Sequence, residues 1–222
     1  MKLKQLEGLL GGLTQFSDPK VELEQYATGP HIASRMLYTA ENSFDNIAGK
    51  VVADFGCGCG TLAVASALLD AEHVAGIDID LQSLELAQEN ATDLELDIDL
   101  IQCDIKNLNL KGLLVDTVVM NPPFGTKRKG ADMEFLSMGL KVASQAVYSL
   151  HKTSTREASS AVTSRRQPCE IATQSVLKFC VSCAMIYLGP TGSTSKRSSI
   201  SQSICGALSH KLETKGKASS LA

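Results

Sequence analysis

Val51-Val52-Ala53-Asp54-Phe55-Gly56-Cys57-Gly58-Cys59-Gly60-Thr61-Leu62-Ala63-Val64-Ala65-Ser66-Ala67-Leu68-Leu69 is the stretch on which the fold turns. A short apolar run passes directly into three glycines alternating with two cysteines, and an unbroken apolar segment follows. The pattern spells a buried strand, a glycine turn and a buried helix. Glycines allow the backbone to bend tightly and approach a ligand, and the free N–H groups at a helix start favour a polar or anionic group. A tight turn without a ligand has the same local signature, so the loop gains meaning only from what lies around it.

Downstream, residues 73–77 form a second apolar run ending at Asp78. It lies about 20 residues beyond the loop, where an α/β sheet places a carboxylate that accepts both ribose hydroxyls of a nucleoside cofactor. Asp80 suits the N-cap of a helix over residues 81–90. A third strand, residues 98–103, ends in Asp104-Ile105, a carboxylate and an apolar side chain fit to flank an adenine ring; a strand-ending Asp is the alternative. A fourth, Val115-Asp116-Thr117-Val118-Val119-Met120, runs into Asn121-Pro122-Pro123-Phe124. The Asn121 carboxamide and the Pro122 carbonyl can both accept from one exocyclic amino group, and the prolines fix φ and hold those acceptors apart. Phe124 offers a face for a stacked base. A Pro-rich turn is again the plain alternative. In an open parallel sheet the ligand lies outside the carboxyl ends of the strands, so Gly56, Asp78, Asp104 and Asn121 are expected to converge on one cleft.

Taken together, Asp54 to Gly60, Asp78-Ile79-Asp80, Gln102-Cys103-Asp104 and Asn121-Pro122-Pro123-Phe124-Gly125 resemble class I S-adenosylmethionine-dependent methyltransferases of the N6-adenine type. Adding Leu23-Glu24-Gln25-Tyr26-Ala27-Thr28, Pro30-His31-Ile32-Ala33 and Ala146-Val147-Tyr148-Ser149-Leu150-His151-Lys152, the chain is similar to the methyltransferase-like protein 5 family over residues 1–157. The resemblance implies a Rossmann-like α/β sheet and N6 methylation of an adenosine in small-subunit (18S) ribosomal RNA. It also implies a heterodimer with a small zinc-binding methyltransferase-activator subunit, in nucleus and cytoplasm. S-adenosylmethionine contacts would come from Gln25, Thr28, Gly56, Cys59, Thr61, Asp78, Asp104 and Ile105, with Asp54, Gly58 and Gly60 completing the loop. Asn121, Pro122, Pro123 and Phe124 would grip the target adenine. Ala27 and Gly29 stand where the family usually has proline and arginine, which loosens that segment and removes a positive charge.

The implied chemistry asks little of the protein: an activated methyl and an amine held in line at about 3 to 3.5 Å. No general base is required. A base taken from its stack costs a few kcal/mol, which Phe124 would offset.

The flanks bound these expectations. With 222 residues and 44% hydrophobic composition, the chain has room for one ordinary core and a tail. It has no apolar run of the 18 or so residues that span a membrane and no signal-peptide pattern after Met1-Lys2-Leu3-Lys4, so no membrane association is expected. Seven cysteines, an odd number, favour reduced thiols. Cys57 and Cys59 have no companion ligands nearby, and Cys180 and Cys183, though spaced like a zinc pair, have only Cys169 and Cys205 beside them in the tail; no metal site is expected. Leu3, Leu6, Leu9, Leu10 and Leu13 recur at helical spacing, opening an N-terminal helical segment over residues 1–45. Pro30 can start a helix through Tyr38, and Asp132 can cap one carrying Met133, Leu136, Leu140 and Val147.

Charge is unevenly divided. Residues 158–222 hold eight Lys or Arg against Glu170 and Glu213, a balance of +6, leaving 13 against 22, or −9, for residues 1–157 within the total of −3. An acidic enzyme acting on RNA needs a local basic patch or a partner's charge. Lys127-Arg128-Lys129 is such a patch, or merely a solvated loop. From Ala158 the chain turns Ser-, Thr- and Lys/Arg-rich and resembles nothing in the family, whose sheet continues through a further helix and two more strands with the last pair antiparallel. A tail that is largely disordered, with at most a helix over residues 176–188, would leave the strand near residues 146–150 as an open edge. Two alternatives to an RNA methyltransferase stay open: a protein-glutamine N5-methyltransferase, whose substrate amide fits the same grip, and an inactive binding subunit.

Overall fold

β1 (Val51–Phe55) has a neighbour on each side, and both run parallel to it. The computed structural model describes residues 1–108, 115–152 and 183–186. In chain order the elements are α1 (Leu3–Gly11), α2 (Pro30–Asn42), β1, α3 (Thr61–Leu68), β2 (His73–Asp78), α4 (Leu81–Asp93), β3 (Asp99–Gln102), β4 (Val115–Met120), α5 (Ala131–Val142), β5 (Ala143–Lys152) and β6 (Cys183–Ile186). The sheet order is β3-β2-β1-β4-β5-β6, with the first five strands parallel and β6 antiparallel.

Alternation along the strands builds two cores. Val52, Val119, Ala146, Tyr148 and Leu150 face one side, where α3 lies beneath Leu6 and Leu10 of α1 and Met36 and Leu37 of α2. Ala53, Phe55, Val118, Met120 and Val147 face the other, against Leu136 and Val142 of α5. A strand buried on both faces reads as a continuous apolar run, which is why β1 and β4 were visible in the sequence. α3 is buried from Thr61 to Ser66 because it is enclosed by the sheet and by α1 and α2. Leu6 and Leu10 of α1 dock fully buried and Leu13, just beyond it, nearly so, as their spacing predicts, whereas Leu9 turns outward at 38% exposure.

The register fixes the site. Phe55 is paired with Ile77 and with Met120, and Asp78 with Gln102, so four parallel strands end on one line. The order reverses between β1 and its neighbours β2 and β4, the switch point at which open α/β sheets bind ligands.

Three expectations need correction. Gly130 at φ +85°, not Asp132, caps α5; Asp132 lies inside the helix and is buried. Val147 belongs to β5, because Ala143 turns extended and the following residues alternate between the two cores. Residues 183–186 are a strand, not part of a helix, and they cover the end of β5 through the pairs Ser149 with Ile186 and Lys152 with Cys183. The bare backbone donors and acceptors of an edge strand accept any extended segment, in either direction. The expected boundary at Glu157, the disorder of the rest of 158–222, and Cys169, Cys180 and Cys205 lie outside the described residues. Among the described residues no helix is long and apolar enough to cross a membrane.

Candidate active site

The glycine loop is shaped by its neighbours. Gly58, at φ +54°, has the Phe16 ring where a side chain would go, 3.2 Å from an added Cβ, and its N–H donates to Asp78 Oδ2 at 2.9 Å. Gly60, at φ +82°, precedes α3; a Cβ there would lie 3.0 Å from Ala87 Cβ and 3.3 Å from its Cα, so no side chain fits between loop and α4. Asp78 Oδ1 accepts from Asp80 N at 2.9 Å. The Asp78 carboxylate therefore ties loop, β2 and α4 together, and each oxygen has capacity to accept again at the cleft that Asp78 lines. Burial raises its pKa, opposed by the backbone donors of Asp80, Gly58 and Ile79.

Behind the loop, Asp54 Oδ2 accepts from Ala63 N at 2.9 Å, holding the first turn of α3, while Oδ1 is buried with no hydrogen-bond partner. Burial pushes this carboxyl up to about 8. Cys59, Gly60 and Thr61 also lie behind the wall of the cleft. The Cys59 thiol sits 3.4 Å from the Thr61 hydroxyl, and the Cys59 carbonyl accepts from Asn90 Nδ2 at 2.8 Å. Burial raises both loop thiols, Cys57 and Cys59, so they are held as thiols.

A strap formed by residues 12–29 crosses the cleft. Lys20 Nζ meets Asp80 Oδ1 at 2.5 Å, and Gln25 Nε2 donates to Asp80 Oδ2 at 2.8 Å and to Ser83 Oγ at 3.0 Å. Asp80 also accepts from Ser83 N at 3.3 Å, the N-cap role expected of it. Its slight burial is outweighed by the hydrogen bonds from Lys20, Gln25 and Ser83, which hold the carboxyl down at about 2. The clip of Lys20 and Gln25 to Asp80 was not anticipated from the sequence. A basic residue in a linker carries no local signal, and the family resemblance assigns Gln25 to the cofactor alone.

At the end of β3, Asp104 accepts from Lys106 N at 3.1 Å and starts a short 3-10 turn, Ile105–Asn107, that buries Ile105. At the end of β4, Asn121 Nδ2 donates to Thr28 Oγ1 at 2.9 Å, which turns Oδ1 the other way. The Tyr26 hydroxyl donates to the Pro122 carbonyl at 2.9 Å and lies 3.5 Å from Asn121 Oδ1, and the Tyr26 ring stacks on Phe124 with centroids 5.0 Å apart at 24°. Within the basic triplet, Lys127 N donates to Glu24 Oε1 at 2.8 Å, and Arg128 pairs with Glu134.

Gln25, Gly56, Gly58, Asp78, Asp104, Ile105, Asn121 and Pro123 thus line one cleft of about 990 Å³, its open mouth included. Of the other expected site residues, Pro122 and Phe124 stand beside the cleft and meet Tyr26, Thr28 acts through Asn121, and Asp54, Cys59, Gly60 and Thr61 support the loop from behind.

A parallel sheet with a glycine loop after its first strand, an acid after its second and Asn-Pro-Pro-Phe after its fourth defines a methyltransferase of the small-domain type, whose family model matches residues 28–168. Over 160 residues the chain is 51% identical to the rRNA N(6)-adenosine-methyltransferase METTL5 of Danio rerio, spanning 71% of this chain and 77% of that one. A crystal structure of an RNA methyltransferase candidate from Pyrococcus horikoshii is 35% identical with a TM-score of 0.66, covering 74% and 78% of the two chains. The Thermus thermophilus 16S rRNA N2 G1207 methyltransferase, solved with AdoMet and guanosine, shares the fold at 17% identity and a TM-score of 0.59, over 72% of this chain and 43% of that one. The chain belongs to the METTL5 family within the small-domain methyltransferases.

Proposed function

We propose that this chain transfers a methyl group from S-adenosylmethionine to N6 of an adenosine in small-subunit ribosomal RNA, acting in nucleus and cytoplasm as a heterodimer with a small zinc-binding activator subunit. The observation that carries the chemistry is the pair of acceptors after β4. A single hydroxyl already lies 2.9 Å from the Pro122 carbonyl and 3.5 Å from Asn121 Oδ1, so one amino group with two N–H bonds can satisfy both. Membership of the METTL5 family supports the RNA base over a protein amide.

The donor set suits the cofactor. Asp78 presents its carboxylate at the end of β2 for a ribose diol, and at the next strand end Asp104, with Ile79, Cys103 and Ile105 as apolar surface, is set to flank a flat adenine ring. The glycine loop passes along the wall of the cleft with no side chain at Gly58, where a Cβ would press on the Phe16 ring at 3.2 Å. Bound S-adenosylmethionine supplies a methyl group activated by its sulfonium. The chain's part is placement: Thr28 sets the Asn121 amide, and Asn121 and Pro122 draw the amino lone pair out of conjugation with the ring. Phe124 supports the extruded base. None of these steps needs a general base.

The test uses the full chain co-expressed with the activator, a hairpin RNA with one unpaired adenosine, and total protein as a second acceptor. Asn121→Ala and Phe124→Ala are expected to lower methyl transfer to the hairpin by roughly 10²-fold, the scale of a misplaced acceptor, with cofactor affinity by calorimetry nearly unchanged. Parental rates in both variants, or label entering protein in place of RNA, would refute the proposal.

A further inference from the structure

We infer that Tyr26 is a gate standing in the place of the acceptor base, so that an adenine must displace its ring from Phe124 and its hydroxyl from Pro122 before the base can be methylated. This rests on the proposed methylation of an adenine amino group and deepens it.

Tyr26 makes the contacts that the grip would otherwise offer a 6-aminopurine. Its O–H is the donor to the Pro122 carbonyl and reaches toward Asn121 Oδ1, and its ring covers the Phe124 face. It cannot be the second wall of a sandwich as it stands. A base between two rings needs roughly 7 to 8 Å between them, two contacts of about 3.5 to 4 Å, whereas these centroids are 5.0 Å apart. The ring must therefore move for a base to enter.

The segment is built for that movement. Gln25 is clipped to Asp80 and Ser83 on one side of Tyr26, and Thr28 is held by Asn121 on the other. Between the clips lies Ala27, and Gly29 follows, positions with little side chain to restrain the backbone. Tyr26 is 37% exposed, so its ring can swing into solvent without opening the core. The gate keeps the Pro122 acceptor paired and dry in the free chain and admits only a base whose amino group and stacking outweigh those of tyrosine. An adenine already lifted from a helix meets that condition at lower cost than a paired one.

Tyr26→Phe removes the hydroxyl and keeps the ring, which weakens the gate without emptying the site. With the full chain and activator, KM for the adenosine hairpin is expected to fall by about fivefold, the ratio that one neutral hydrogen bond is worth. The kcat and the KM for S-adenosylmethionine are expected to hold. In protein labelled with 3-fluorotyrosine, the resonance lost in Tyr26→Phe should shift on titration with the hairpin and not with the same hairpin lacking its unpaired adenosine. A parental chain that methylates the hairpin while this resonance stays fixed and Tyr26→Phe leaves KM unchanged or raised overturns the gate and keeps the proposed function. A hairpin that neither chain binds or methylates removes both.

Discussion

Asp54 is the residue whose chemistry is least balanced in the fold: one oxygen accepts from Ala63 N, the other is buried without a partner, and burial raises the carboxyl to about 8. A carboxyl whose folded pKa lies above its unfolded value binds its proton more tightly when folded. Its contribution is therefore complete below about pH 4 and is lost as pH rises toward 8. Asp54→Asn, a neutral isostere that can still accept from Ala63 N, is expected to flatten the fall in melting temperature between about pH 5 and 8. An unchanged slope would place the titration elsewhere. Buried His151 works in the opposite sense, since burial lowers its pKa and its stabilisation is lost as pH falls below about 6.5. Asp78 was legible in the sequence because a strand end followed by an acid is a spacing signal, and the structure adds that it also braces Gly58. Tyr26 was not. A tyrosine in a loop has no period, and its meaning comes from Pro122, 96 positions away in the chain.

At the scale of elements, the junction from β1 to α3 is set by Gly60, which enters the helix at φ +82° against the α4 backbone. Gly60→Ala would force a left-handed alanine, costing about 1 to 2 kcal/mol, and press its Cβ on Ala87. Unfolding by denaturant should show a loss of roughly 1 to 3 kcal/mol with the slope unchanged, and cofactor binding should weaken in parallel because α3 and its loop shift together. A variant as stable as the parent would mean that α4 yields at this contact. Such strand-glycine-helix junctions are readable because they lie within a few residues of each other. The end of α5 was not readable: Val142 and Val147 are both apolar, and only the register of β5 on β4 decides that the second belongs to a strand. β6 escaped for a stronger reason. A four-residue segment whose sequence shows no alternation becomes a strand through its backbone pairing with β5.

Over the whole molecule, the sheet ends in different ways at its two sides. β5 is followed by β6, whereas among the described residues β3 pairs with β2 alone. Leu100 and Ile101 are only half-buried on that strand, so it offers both unpaired backbone groups and apolar surface. An edge of this kind is a template for another chain, and strand addition is how a partner would close it. The proposed activator subunit fits that place, and residues 1–157, at −9, would gain by a partner that brings positive charge to an RNA complex. Co-expression is therefore expected to raise the soluble yield, and amide exchange at residues 99–102 should slow in the complex while exchange in β1 and β4, already central, stays as it was. Protection confined to β5, or a monodisperse monomer that methylates RNA at full rate with no partner, would show that β3 is not where this molecule is completed.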